Sequence, residues 1–404
     1  MLTGNIGCMS TNGISLRIKS IDTIRGLIMV IMALDHVRDY FHITAFSADP
    51  LDPGTTNAVL FFTRWITHYC APSFMLLSGI SAYLSGQSKT TAETSSFLLK
   101  RGLWLIVVEL TFMTFAFSFD VTFKTIFLAV LWALGTSMLI LGVFVRFFSP
   151  KVILISGLVL IFGHNLFDLL KPAPGSALDI FLGIFLTGAG RFVPRGDGGN
   201  IAFLYVILPW AGIMMSGYGL GTIYNRTFPE QKRRKLLLQS GVAAIVLFLV
   251  LRLINYYGDQ APWSAQSEGL RTFFSFMNAS KYPPSLIFTL MTLGPILILL
   301  AITEHTDNKL TRFLTVYGKV PFFYFMLHFY LIHILTVIAV LSSGYTWEQA
   351  TAPELFFKFR PNDFGYSLGM VYVIWITVVL ALYFPCRWFG NYRERNRKWW
   401  LSYL

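Results

Sequence analysis

Residues 16–41 read LRIKSIDTIRGLIMVIMALDHVRDYF. The run from Gly26 to Leu34 is wholly apolar. As a helix it is about 13 Å long, close to half the thickness of a bilayer core. Charge brackets it on both sides: Asp22 and Arg25 precede it, and Asp35, His36, Arg38 and Asp39 follow it. The stretch therefore predicts a helix with an ionisable cluster at each end of an apolar middle. Ionisable groups at membrane depth are costly and point to function by default.

The rest of the chain sets the class. Of 404 residues, 55% are hydrophobic and 13% charged, with a mean hydropathy of +0.60. Soluble domains carry about 25% charged residues. Long apolar runs recur throughout, which predicts an all-α, polytopic membrane helical bundle. Ten transmembrane helices are expected, over residues 21–41, 58–85, 97–118, 123–146, 151–170, 201–224, 237–257, 283–303, 318–341 and 367–389. The short apolar segment 178–190 suits a re-entrant or interfacial piece. With the N-terminus inside, the cytoplasmic side and adjoining half-spans hold a net charge of +14, against −2 outside. Arg17, Lys19, Lys232, Arg233, Arg234, Lys235, Arg393 and Arg397 contribute to that excess. Both termini are thus expected to be cytoplasmic, in the bacterial cytoplasmic membrane. The domain reading is a cytoplasmic segment 1–20, one membrane domain 21–390 and a basic tail 391–404. No cleavable signal peptide is expected, because the first fifteen residues lack an apolar core. Cys8, Cys70 and Cys386 have no metal or redox spacing. The net charge of +12 lies in short loops beside spans and does not indicate nucleic acid.

Six of the seven histidines fall in the outer half of the ten-span arrangement: His36, His42, His68, His164, His328 and His333. A lone intramembrane histidine is ordinarily a helix–helix hydrogen bond. Six together, beside Asp35, Arg38 and Arg64, point instead to proton transfer near neutral pH. Spacing adds local expectations. Asp22 and Arg25, Asp35 and Arg38, and His36 and Asp39 are each three apart and able to meet on one helix face. Glu109 lies deep in its span and needs a partner or an altered pKa. Gly212, Gly217, Gly219 and Gly221 give residues 201–224 a small face for close helix packing.

Several motifs then resemble a bacterial membrane family related to the catalytic domain of heparan-alpha-glucosaminide N-acetyltransferase. They are Ser20-Ile21-Asp22-Thr23-Ile24-Arg25-Gly26, Leu34-Asp35-His36, and Phe62-Thr63-Arg64-Trp65-Ile66-Thr67-His68 with Ala71-Pro72. Later pieces are Arg101-Gly102-Leu103-Trp104, Leu208-Pro209-Trp210, Lys281-Tyr282-Pro283-Pro284-Ser285-Leu286, Thr292-Leu293-Gly294-Pro295, and Pro321-Phe322-Phe323-Tyr324 with His328. The resemblance runs from residue 16 to about residue 335. It implies acetyl transfer from cytoplasmic acetyl-CoA to an amino sugar on the far side, with an essential histidine after the first helix. In an ungapped reading, His36 stands where the lysosomal enzyme has an active-site asparagine. His42 is then the only histidine in the loop where the family's catalytic one falls, and His68 replaces an aspartate of the second motif.

An acceptor amine or hydroxyl attacking a thioester must lose a proton, which a histidine within reach accepts. The expected catalytic group is His36, His68, His42, Asp35 and His328, with His36 the leading base and Asp35 or Asp39 tuning it. Arg25, Arg101, Arg64 and Lys281 are the expected acyl-CoA-binding cations, with Arg17, Lys19 and Lys100 nearby. Acyl-CoA is the co-substrate, and no metal is expected. Expected partners are the lipid bilayer, acyl-CoA and a sugar or envelope-glycan acceptor. A homodimer is a candidate assembly. Two other readings stay open: a proton-coupled transporter, since intramembrane charge also marks ion pathways, and a non-catalytic membrane partner in envelope-polymer synthesis.

Overall fold

The computed structural model describes residues 18–188, 190–396 and 398–402. Cys8, Arg17, Arg397 and nearly all of the expected segment 1–20 lie outside them. Helix α1, Lys19–Phe41, is continuous through the opening stretch. It is buried on almost every side, including at Asp22, Asp35 and Arg38. Its low apolar content follows from that position: its neighbours are protein groups that pair its charges, not lipid.

The chain continues through α2 (Ala58–Ile66), α3 (Cys70–Gly86), α4 (Thr91–Val108), α5 (Thr114–Ser118), α6 (Val130–Phe147) and α7 (Pro150–Gly163). Next come α8 (Ala177–Leu182), α9 (Leu208–Leu220), α10 (Glu230–Ile254), α11 (Gly269–Met277) and α12 (Leu286–Thr303). It ends in α13 (Lys309–Gly318), α14 (Pro321–Ser342), the one-turn α15 (Trp347–Ala350) and α16 (Leu368–Arg395). Strands β1 (Thr125–Leu128), β2 (Arg191–Pro194) and β3 (Asn200–Phe203) form a small sheet in the order β1-β3-β2. β3 pairs parallel with β1 and antiparallel with β2.

Seven helices among the described residues are long and apolar enough to cross a membrane: Thr91–Ser118, Val130–Phe147, Pro150–Leu169, Glu230–Ile254, Leu286–Thr303, Pro321–Ser342 and Leu368–Arg395. Each matches one of the ten expected spans. The other three differ for physical reasons. The first is α1, whose charged ends lower its hydropathy. The second is divided into α2 and α3 by a 3-10 turn at Thr67–Tyr69. The third begins on β3, and its helix starts only at Leu208. The short segment 178–190 forms α8 and a π-helical turn, Gly183–Thr187.

Glycines set the helix crossings. Gly26 meets Gly318 where α1 crosses α13, and Gly79 meets Gly217 where α3 crosses α9. Gly102 faces Gly135 between α4 and α6, Gly157 faces Gly212 between α7 and α9, and Gly241 faces Gly294 between α10 and α12. Small residues let helix backbones approach closely. The expected small face of residues 201–224 serves two neighbours: Gly212 and Gly219 pack on α7, and Gly217 packs on α3.

Candidate functional site

The Phe41 end of α1 borders a cavity of about 240 Å³. α1 contributes Met32, Asp35, His36, Arg38, Asp39 and Tyr40, all on its last three turns. The α2–α3 break contributes Arg64, Thr67, Cys70, Ala71 and Phe74. Lys281 and Tyr282, just before α12, and Phe325 and Phe329 of α14 complete the polar and apolar walls. Phe127, Phe356 and Phe357 add an aromatic wall from β1 and the segment before α16.

The charges in this cavity are locked together. Arg64 Nη1 donates to Asp35 Oδ2 at 2.7 Å and to Thr67 Oγ1 at 2.9 Å. Arg38 Nη2 donates to Asp39 Oδ1 at 2.6 Å and to Asp35 Oδ1 at 3.2 Å. Asp35 therefore joins two arginines from two elements. Such a network tolerates burial because each charge is paired and hydrogen-bonded. The 3-10 turn matters here: it carries Thr67, whose hydroxyl donates to the Arg64 carbonyl at 2.7 Å and holds that side chain's position.

His36 has a different partner from the one its spacing predicts. Among the described residues no carboxylate hydrogen-bonds it; Asp35 and Asp39 are taken by arginines. Its Nδ1 lies 2.7 Å from His328 Nε2 on α14. His328 Nδ1 lies 3.1 Å from the carbonyl oxygen of Tyr324, which only accepts. The network therefore assigns the protons. His328 Nδ1–H donates to Tyr324, and His36 Nδ1–H donates to His328 Nε2. His36 Nε2 is left with a lone pair. His36 lines the cavity, whereas His328 is fully buried behind it. The Phe329 ring, with its centroid 4.1 Å from that of His36, limits movement of the imidazole.

The remaining histidines separate from this pair. His68 is buried next to the cavity-lining Thr67 and packs edge-on against Phe288 at 5.3 Å, without lining the cavity itself. His42 caps the end of α1, and its Nδ1 lies 2.9 Å from Thr44 Oγ1. Burial, with Arg38 and Arg360 nearby, lowers its pKa. It lines neither this cavity nor the one described next. His164 bridges the end of α7 to the Pro284 carbonyl at 2.9 Å, and His333 bridges the Ala116 and Lys358 carbonyls. Among the described residues Glu109 meets no cation: it accepts the backbone N–H groups of Ala129, Leu131 and Trp132 and caps α6.

A second cavity, about 610 Å³, opens at the Lys19 end of α1. Arg25, Lys89, Arg101, Lys319 and Arg393 line it, with Asp22, Ser78 and Ser81. The expected Asp22–Arg25 pair forms at 3.1 Å. Arg25 also donates to Ser81 Oγ at 2.6 Å and to the Gly318 carbonyl, joining α1, α3 and α13. The four expected cofactor cations thus divide: Arg25 and Arg101 stand here, and Arg64 and Lys281 stand at the first cavity. Both cavities are lined by α1 and α3. On α3, Phe74 of the first and Ser78 of the second are one turn apart, about 6 Å.

The expected catalytic group places His36, His68 and His328 at one site, and His36 and His328 do meet there; their direct bond, which joins residues 292 apart, was not foreseen. Nor was the aromatic wall, which carried a signal: Phe356 and Phe357 are adjacent in a segment outside every expected span, where two bulky apolar residues need something to cover.

No curated protein matches the chain. The family described as heparan-alpha-glucosaminide N-acetyltransferase, catalytic, matches residues 17–253. The matched stretch supplies Asp35, His36, Arg64 and Arg101, while His328, Lys281 and Tyr282 come from beyond it. With more than half of its length matched, the chain belongs to the heparan-alpha-glucosaminide N-acetyltransferase catalytic-domain family, an integral membrane acetyltransferase family.

Proposed function

We propose that the protein moves an acetyl group from acetyl-CoA, held at the Lys19 end of α1, to an amine or hydroxyl of a sugar acceptor at the Phe41 end. The observation that carries this reading is the His36 Nε2 lone pair at a cavity wall, oriented by His328. In the reaction, the acceptor nitrogen or oxygen bonds to the thioester carbonyl carbon. Its proton passes to His36 Nε2. Collapse of the tetrahedral intermediate breaks the C–S bond, and the proton leaves with the thiolate as free thiol. His328 supports the imidazolium by accepting the His36 Nδ1–H at its Nε2. Arg64, fixed by Asp35, is the proposed donor for the oxyanion.

The basic cavity is the proposed seat of the donor's phosphates and adenine. From there, the flexible arm would pass between α1 and α3 to His36, a rise of about 16 Å from Arg25. Arg101→Gln combined with Lys89→Gln is expected to raise KM for acetyl-CoA at least about tenfold. One charge-assisted hydrogen bond of about 1.5–3 kcal/mol suffices for that. The kcat should stay within about twofold, and steady-state kinetics in detergent would measure both. A fall in kcat at unchanged KM would contradict this assignment.

The ten-span arrangement, with both termini cytoplasmic, belongs to the same proposal. It counts α1, the α2–α3 pair and α9 as spans, of which α1, α3 and α9 are largely buried against their neighbours. Arg234→Cys in intact cells should resist an impermeant thiol reagent and react after permeabilisation. Labelling from outside would reverse the orientation.

A further inference from the structure

The first cavity is unbalanced in charge. Arg38 and Arg64 are neutralised by Asp35 and Asp39. Lys281 lines the same cavity at 9% exposure and forms no ion pair with any described residue. Its contact is the neighbouring Tyr282, through a side-chain hydrogen bond and a ring centroid 4.9 Å from Nζ, and the Asp35 carboxylate, already shared by two arginines, attracts it across the cavity. A lysine this buried is ordinarily paired, because an isolated ammonium loses its hydration without compensation. Backbone geometry holds it there: Lys281 bridges to Pro284 at the start of α12. An anionic group on a bound molecule would supply the counter-charge that Tyr282 does not.

That anion cannot be the donor's phosphates under the reading proposed above, which seats them at the other cavity, with Arg101 of α4 and with Arg25, some ten residues from Asp35 along α1. We infer that Lys281 recognises an anionic group, carboxylate or phosphate, on the acceptor, so that the acceptor is an acidic or phosphorylated sugar in place of a neutral one. The inference rests on the acetyltransferase reading for the word acceptor, but the anion site can be tested without it. Its source is either a carboxylate built into an acidic sugar or a phosphate ester.

The test uses the full-length protein in detergent with three probes: glucosamine, glucosamine 6-phosphate and muramic acid, an amino sugar bearing a carboxylate. Binding is measured by thermal stabilisation without acetyl-CoA, and transfer is measured with labelled acetyl-CoA. The native protein should bind at least one anionic probe at least tenfold more tightly than glucosamine. The phosphate and carboxylate probes identify which anion is preferred. Lys281→Met should remove the preference, Lys281→Arg should retain much of it, and acetyl-CoA affinity should not change in either. Equal binding of all three probes by the native protein, or no binding of either anionic probe at millimolar concentration, overturns the inference. So does a preference that survives Lys281→Met. A preference without acetyl transfer to any probe would leave the anion site standing and count against the acetyltransferase reading. Transfer without a preference would do the reverse.

Discussion

Replacing His36 with glutamine is expected to reduce acetyl transfer by about 10²–10⁴-fold, the usual cost of losing a general base. Glutamine retains bulk and polarity against His328 and Phe329, so the protein should fold and bind acetyl-CoA with near-native affinity. His42→Gln is the control. It removes an imidazole that lines neither cavity and should leave turnover within about threefold. His328→Gln should fall between the two, because it removes the acceptor that fixes the His36 tautomer but not the base itself. The measurement is kcat with an acceptor in excess, alongside acetyl-CoA affinity. Near-normal turnover in His36→Gln together with loss in His42→Gln would place the base in the loop after α1. A protein-bound acetyl group on His36 after acid quench would replace direct transfer with a two-step covalent route.

The second large effect is on the fold. A Cβ placed on Gly26 would lie 1.9 Å from the Leu314 carbonyl oxygen, and one on Gly318 would lie 1.8 Å from that of Asp22. Both obstacles are backbone, so no side-chain rotation relieves them. Gly26→Val should force α1 away from α13 and disturb Arg25, which donates to the Gly318 carbonyl at the same crossing. Overpacking commonly costs about 1–3 kcal/mol, and a backbone clash belongs at or above the upper end. The expected result is loss of monodisperse, folded protein in detergent. Gly163→Ala, where a Cβ meets nothing within 4 Å, should behave as native. A native melting profile for Gly26→Val would show that the two helices are not held this closely.

These two sites also mark what the sequence makes legible. The apolar middle and charged ends of α1 are local features, and so is the Asp22–Arg25 pair. Seven apolar spans follow from hydropathy because those helices present a lipid-compatible face. α1, the α2–α3 pair and α9 depart from that rule. Their charges, 3-10 turn and glycines suit helices that pack on protein. Spacing placed His36 beside Asp39, but Arg38 competes for that carboxylate and His328 arrives from α14. Nothing in the sequence near His36 encodes that arrival. The cations divide for a similar reason. Arg25 and Arg64 resemble each other as residues, but Arg25 pairs with Asp22 at one end of α1 and Arg64, from α2, pairs with Asp35 at the other, so they meet different cavities.

The central claim is transfer between the two ends of α1. Its most direct test is reconstitution in sealed proteoliposomes, with sidedness reported by labelling Arg234→Cys. Labelled acetyl-CoA is supplied only on the side of the Arg25–Arg101 cavity. Glucosamine and glucosamine 6-phosphate are supplied only on the other. The native protein should place label on an amino sugar in the far compartment, and His36→Gln should not. No labelled sugar from folded native protein, or equal label with His36→Gln, would contradict the account.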